Sequence, residues 1–184
     1  MPRNSEFDHF LASQKADKGK HGNLSDRKAQ WLGKINALYS LVDQLLAPYF
    51  ANGSMERSTS VAEVREELLG SYKAPAMTID MGGSSVRFAP IGTILLGAPG
   101  RVDLVGMRGS VRFVLVLPGI DRPVFTGMSL SEGAPVYKKQ TPLDLSPYQW
   151  KISTHPPGIR YSPIDTGSLQ SAIMEAANGY TRCR

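Results

Sequence analysis

The sequence predicts an α+β domain. An N-terminal amphipathic helix and a short second helix pack on a mainly antiparallel, curved sheet or partly open barrel, and a C-terminal helix completes the fold. Three observations support this prediction. Hairpin patterns fill the stretch from Ala76 to Leu117, apolar residues recur at helical spacing over 26–50, and no helix-length segment separates the strands as a parallel βαβ arrangement would require. The 184 residues suffice for one core, so we expect a basic, flexible tail over 1–24 and a single domain over 25–184.

The first hairpin is centred on the two glycines at 82–83. Both turn residues can adopt positive φ, which two-residue hairpin loops require. Such a loop sets the register of the flanking strands. Ile79 then lies opposite Val86, and Met77 lies opposite Phe88, all on the face that should meet the core.

The second hairpin turns at 107–108. This turn places Asp103 opposite Arg112, where an acid and a base stabilise a sheet by a few tenths to about 1 kcal/mol. We therefore interpret Asp103 and Arg112 as an ion pair. The run 111–117 is apolar on both faces beyond Arg112, which is typical of a central strand covered on both sides. The same register places two further pairs in the core: Leu104 with Val111 and Val102 with Phe113.

Three further segments have the composition of short strands. Ile91–Leu96 is bounded by Pro90, Pro123–Met128 is weaker, and Tyr148–Ser153 comes late in the chain. Strands at such short spacing predict a meander, a curled sheet or a partly open barrel.

The clearest helix covers 26–50. Ser25 or Asp26 can cap its start and Pro48 limits its end. Its apolar residues are spaced alternately by four and three: Trp31, Ile35, Leu38, Val42, Leu45 and Tyr49. Such a stripe is expected to pack on the sheet of its own domain. The alternative is a seam for a partner protein, or for a second copy of the chain through the Trp31–Tyr49 helix.

Two shorter helices are predicted. Ser60 and Glu63 have the spacing of a capping box, so a helix is expected from there to Leu69, with Gly70 as its stop. Ser168–Ala177 should form the last helix, ended by a glycine at 179.

Composition limits the function without identifying it. The formal charge of +5 and the pI of about 9.4 favour anionic partners only modestly. The single cysteine, Cys183, cannot form a disulfide within one chain, which is typical of a reducing compartment. No segment has the length and apolarity of a membrane span, and no apolar run resembling a signal peptide follows the N-terminus. We therefore expect a cytoplasmic protein without a membrane partner.

The motifs of common catalytic sites are absent from the sequence. There is no nucleophile elbow, no zinc or calcium spacing and no phosphate loop, so we expect no cofactor or metal. His155 is the one histidine outside the predicted tail, and a surface role is favoured over that of a base or ligand. An alternative is a metal-dependent nuclease of restriction-endonuclease-like type, using Asp103 with Gln149 and Lys151.

A basic surface is the other feature with functional meaning. Arginines on the polar side of the hairpins, with charged and aromatic residues in the long loop, could contact nucleic acid or a partner. These residues are Arg87, Arg101, Arg108, Tyr137, Lys138 and Lys139. The function we predict is a non-catalytic accessory or interaction protein that docks on a larger protein, in a nucleic-acid-associated complex or outside one. A β-sheet module that binds nucleic acid directly is a further alternative.

Overall fold

A computed structural model of the chain describes residues 5–67, 69–93, 98–123 and 144–179, with the side chains of the first helix described from residue 24 onward. The described residues form two helices and seven strands. In chain order these are α1 (Ser5–Ala51), β1 (Glu56–Glu66), β2 (Gly70–Asp80), β3 (Ser85–Gly92), β4 (Arg101–Val105), β5 (Ser110–Val116), β6 (Gln149–Ser153), β7 (Tyr161–Pro163) and α2 (Thr166–Asn178).

The seven strands form one antiparallel sheet in which each strand pairs with its neighbour in sequence. The sheet is curved and does not close into a barrel. Both helices share one core with it, and its largest buried side chains include Trp31, Phe88 and Phe113. The predicted α+β class is therefore confirmed.

The predicted hairpin registers are confirmed. Between β2 and β3, Ile79 pairs with Val86 and Met77 with Phe88. The backbone N–H of Met81 closes the turn by donating to the carbonyl of Ser84 at 2.9 Å. A two-residue loop leaves no freedom to slide by one position without exposing the whole apolar set.

The second hairpin also has the predicted register. Asp103 pairs with Arg112 along the β4–β5 ladder, and Leu104 pairs with Val111. β5 lies between β4 and β6, and its residues from Phe113 to Val116 are all buried. The prediction of a central strand covered on both sides is confirmed.

The apolar stripe of α1 packs into the chain's own core. Trp31, Ile35, Leu38 and Val42 have no exposed surface, so a second copy of the chain cannot use them as a seam in this conformation. The helix begins at Ser5, so the cap predicted at 25–26 is wrong. The division into tail and domain at residue 24 stays a prediction.

The second helix predicted over 60–69 is wrong, because residues 60–66 belong to β1 and the described residues after it lie in a turn. β1 pairs with β2 over its whole length, from Glu56 with Asp80 to Glu66 with Gly70. The capping-box pattern is a weak local preference, and the eleven-residue ladder overrides it. Gly70 does adopt the positive φ (68°) expected of a helix stop, but it uses this conformation to turn the hairpin.

The separate strand predicted from Ile91 is also corrected. β3 continues through Pro90 and Ile91 to Gly92, with a register shift against β4 between Pro90 and Gly92. Pro90 cannot donate a hydrogen bond, and an irregular position in the ladder is where a strand tolerates proline. Residues 94–96 and 124–128 lie outside the described residues, whereas the late strand, β6, is confirmed.

The last helix is confirmed and slightly longer than predicted. Asp165 caps α2: its carboxylate accepts a hydrogen bond from the Ser168 backbone, while the Ser168 hydroxyl accepts one from the Asp165 backbone. Gly179 ends the helix at a φ of 84°. One face of α2 enters the core through Leu169 and Ile173.

Candidate interaction surface

The helix-free side of the sheet is the surface on which the predicted basic residues converge. Side chains alternate along a strand, and directly paired residues point to the same side. Val102, Leu104 and Phe113 point into the core, so the residues between them point away from the helices. We call this side the outer face; it carries Glu56, Ser58, Thr78, Asp80, Arg87, Ala89, Arg101, Asp103, Val105, Ser110, Arg112, Val114, Val116, Gln149, Lys151, Ser153, Tyr161 and Pro163.

Asp103 is held by Arg101 on the same strand. The Nε and Nη2 atoms of Arg101 each donate to a different oxygen of the Asp103 carboxylate at 2.8 Å. The expected ion pair between Asp103 and Arg112 is therefore corrected, although the two residues are opposite each other. Positions i and i+2 of a strand share a face, and the planar guanidinium matches both carboxylate oxygens.

This salt bridge leaves Arg112 without an acidic partner among the described residues, and the same holds for Arg87. Arg87 is exposed and Arg112 is half-buried. Arg87 lies on β3 and Arg112 on β5, two strands away and offset by two residues along the strand direction. Ideal sheet spacings then put their Cα atoms roughly 12 Å apart. The exposed Val105 lies on the strand between them.

The outer face is basic as a whole. It carries four basic side chains (Arg87, Arg101, Arg112 and Lys151) against three acidic ones (Glu56, Asp80 and Asp103). The Nζ atom of Lys151 donates to the carbonyl of Ile120 at 2.7 Å, which positions the segment after β5 beside β6. The uncompensated charge therefore centres on the two arginines.

The other predicted binding residues are not brought to this face. Arg108 lies in the β4–β5 turn, and its backbone N–H donates to the carbonyl of Ala176 at 3.3 Å. It thus lies beside the C-terminal end of α2, where a positive charge is favourable. Tyr137, Lys138 and Lys139 lie outside the described residues, so their role in binding stays a prediction. Cys183 also lies outside the described residues.

Asp103, Gln149 and Lys151 share the outer face without forming a compact site. β5 separates the strand of Asp103 from that of Lys151, so the two backbones are about 10 Å apart across the sheet. Asp103 is bound to Arg101 and Lys151 to the carbonyl of Ile120. Across the described ranges, no three His, Cys, Asp or Glu side chains are grouped as metal ligands. These contacts favour structural roles for Asp103 and Lys151.

His155 borders a cleft that the sequence did not predict. The cleft, of about 730 Å³, lies between the β6–β7 connection and α2. The Nδ1 atom of His155 is 3.4 Å from Oε1 of Glu175, and Arg160 lies on the same rim. Sequence reasoning missed Glu175 and Arg160 because they come from different elements and no motif links them to His155.

Comparison with known proteins finds no matching family model, no similar curated protein and no similar solved structure. In the part of the chain that the structure describes, no helix combines the length and apolarity needed to cross a membrane.

Proposed function

We propose that this protein is a non-catalytic, cytoplasmic interaction protein whose outer face docks on an acidic surface of a larger protein. The observation that carries the proposal is the pair of arginines, Arg87 and Arg112, which have no acidic partner among the described residues and flank the exposed Val105. Arginine beside apolar surface is the composition that protein interfaces favour. The single cysteine supports the cytoplasmic location.

A protein partner is favoured over single-stranded nucleic acid. Sheets that bind single strands use exposed aromatic rings as stacking platforms. Here Phe88 and Phe113 point into the core and contact each other edge to face, with centroids 5.3 Å apart. Tyr161, which pairs with Ser153 at the β7 edge, is half-buried. The exposed part of the outer face thus offers charge and the aliphatic side chain of Val105, and little aromatic surface.

Arg101 and Asp103 support the same interpretation. Their salt bridge neutralises the middle of the face, so the free charges lie on either side of it. A partner with carboxylates at matching positions would be steered towards this face, and its association would slow as salt screens the charges.

The test is capture of the partner from native cells with three forms of the tagged chain. The wild type should retain a stoichiometric protein, and the double variant Arg87→Glu/Arg112→Glu should lose it. The matched control is Arg65→Glu/Lys73→Glu, which makes the same charge change at exposed positions of the β1–β2 hairpin and should retain the partner.

A second assay separates the alternatives. Binding of fluorescent single- and double-stranded DNA and RNA is measured by anisotropy against salt concentration. If the partner is a protein, the wild type should bind nucleic acid no more strongly than Arg65→Glu/Lys73→Glu does. Tight, salt-dependent binding that disappears in Arg87→Glu/Arg112→Glu would instead assign the face to nucleic acid. Loss of the captured protein in both double variants would reject the outer face as the docking surface.

A further inference from the structure

Two arginines from distant parts of the sequence are held side by side. The backbone N–H of Tyr161 donates to the carbonyl of Asp121 at 2.8 Å. Arg160 precedes the donor and Arg122 follows the acceptor, so this bond makes the two arginines neighbours. Both line a cleft of about 350 Å³, together with Pro123, Pro157, Gly158 and Ile159.

The backbone around Arg160 is tied at several points. The N–H of Thr154 donates to the carbonyl of Arg160 at 2.9 Å, and the N–H of Arg160 donates to the Thr154 hydroxyl at 2.8 Å. That hydroxyl in turn donates to the carbonyl of Gly158 at 3.2 Å. These bonds close the β6–β7 connection into a compact loop, so the chain itself fixes the backbone of Arg160.

The opposite wall is anchored as well. Lys151 on β6 binds the carbonyl of Ile120, two residues before Arg122. The N–H of Ile120 donates to the carbonyl of Leu117 at 3.2 Å, which folds this segment into a turn. The fold therefore keeps the backbones of Arg122 and Arg160 next to each other.

This arrangement brings two positively charged residues to the lining of one cleft. Among the described residues, no acidic side chain lines the cleft, and neither guanidinium has a hydrogen-bond or ion-pair partner. The side chain of Asp121 is exposed and does not line the cleft. Two positive charges on one small cleft repel each other, and an anion bound between them would offset this repulsion.

We propose that Arg122 and Arg160 form a binding site for a tetrahedral oxyanion, namely inorganic phosphate or the phosphoryl group of a small molecule. Guanidinium groups donate paired hydrogen bonds in the geometry that phosphate oxygens accept. The cleft is of the size that takes a compact ligand. The prolines and Ile159 on its walls add apolar contacts for the part of the ligand that carries the phosphoryl group.

The test is isothermal titration of the full chain with inorganic phosphate and with glycerol phosphate, at ionic strength held constant with sodium chloride. Saturable binding of one equivalent is expected. Arg122→Gln and Arg160→Gln should each weaken it about tenfold, the effect of losing one of two charge-assisted contacts. Arg65→Gln removes another exposed arginine, in the β1–β2 hairpin, and should leave binding unchanged.

The two titrations distinguish the sources of the phosphoryl group. Binding of phosphate alone identifies an inorganic phosphate site, and tighter binding of glycerol phosphate identifies a site for a phosphorylated small molecule. Either result supports the assignment. Heat changes that do not saturate, or that fall equally in Arg65→Gln, would show general screening of a basic surface and would overturn it.

Thermal unfolding gives an independent measurement. In buffer without oxyanions, Arg122→Gln should unfold at a higher temperature than the wild type, because one of the two repelling charges is gone. Added phosphate should raise the unfolding temperature of the wild type and not of the variant. A variant less stable than the wild type without phosphate would contradict the like-charge argument. The double variant Arg87→Glu/Arg112→Glu should keep phosphate binding, so this site and the docking face can fail separately.

Discussion

Glu66 and Thr93 are joined by two hydrogen bonds to a single carboxylate oxygen. Oε2 of Glu66 accepts from the backbone N–H of Thr93 at 2.8 Å and from its hydroxyl at 2.9 Å. These residues end β1 and follow β3, two strands that do not pair with each other. The guanidinium of Arg27 binds Thr93 in turn, at 2.7 Å to its carbonyl and 3.1 Å to its hydroxyl. This cluster therefore ties α1 to both strands.

Replacing Glu66 with alanine should destabilise the fold by about 2–3 kcal/mol. The change leaves the donors of Thr93 without their acceptor and also removes the hydrogen bond that the Tyr72 hydroxyl donates to Oε1 of Glu66. Urea unfolding measures the loss. The control is Glu63→Ala, which breaks only an exposed contact with Arg65 and should cost less than about 0.5 kcal/mol. Equal losses in the two variants would contradict this role of the cluster.

Tyr39→Phe should cost about 1 kcal/mol. β2 pairs with β3 only from Met77 onward, and the Tyr39 hydroxyl bridges the place where the strands separate. It lies 2.9 Å from the carbonyl of Pro75 and 3.3 Å from that of Phe88. Burial raises the pKa of Tyr39 well above its usual value, so the hydroxyl remains a donor.

The matched control for that variant is Tyr161→Phe. The pKa of Tyr161 is also raised by burial, but its hydroxyl has no hydrogen-bond partner among the described residues. Chemical unfolding should show a loss for Tyr39→Phe and almost none for Tyr161→Phe. Tyr39→Phe as stable as the wild type would show that the bridge contributes nothing net.

Two alanine substitutions at glycines should have opposite effects. Gly33 lies within α1, and a Cβ atom added there would meet no described atom outside its own turn of the helix within 4 Å. Gly33→Ala should therefore stabilise the fold by up to about 1 kcal/mol. A Cβ atom added at Gly106 would lie 2.3 Å from the carbonyl oxygen of Ala176. Gly106→Ala should cost roughly 1–3 kcal/mol, because the β4–β5 turn must move away from α2. Unfolding temperatures that shift in the same direction for both variants would contradict the packing.

Asp165 should make stability depend on pH. Hydrogen bonds from the backbone and then the side chain of Ser168 lower the pKa of the Asp165 carboxyl. A group whose pKa is lower in the folded state stabilises that state above its unfolded pKa and loses the effect as the pH falls through the folded value. The stability difference between the wild type and Asp165→Ala should thus be full near neutral pH and shrink below about pH 4.

Asp165→Asn is the control for this titration. Asparagine keeps the capping oxygen and has no proton to gain, so its advantage over Asp165→Ala should be the same at every pH. Urea unfolding across the acidic range checks both variants. A wild-type advantage that does not change with pH would show that the Asp165 charge has no part in the cap.

Local rules predicted the parts of the fold that local geometry controls. The glycines at 82–83 and the turn at 107–108 set registers that the structure reproduces, because a short loop fixes which residues face each other. The same rules failed over 60–69, where a capping pattern competed with a ladder to a strand formed by later residues. An exposed edge strand has no alternation of burial to reveal it, and the first six residues of β1 are all exposed.

The residues of the candidate sites were likewise predictable from the sequence only in part. Arg87 and Arg112 could be placed on the helix-free side from strand alternation alone. The partner of Asp103 could not, because the register brings Arg112 opposite while the rotamer of Arg101 decides which guanidinium binds. The proximity of Arg122 and Arg160 had no sequence signal, since it is created by a backbone hydrogen bond from the first residue of β7 to the irregular segment after β5.

Sequence patterns alone were thus sufficient for the α+β class, the two hairpins and the amphipathic stripe of α1, each of which follows from contacts between residues close in the chain. Three outcomes needed the folded chain: 60–66 is a strand, Asp103 is neutralised by Arg101, and two distant arginines share a cleft. Those outcomes depend on which segments meet in space. Long-range packing can override a local preference of a few tenths of a kcal/mol per residue, because a ladder or a buried contact contributes more.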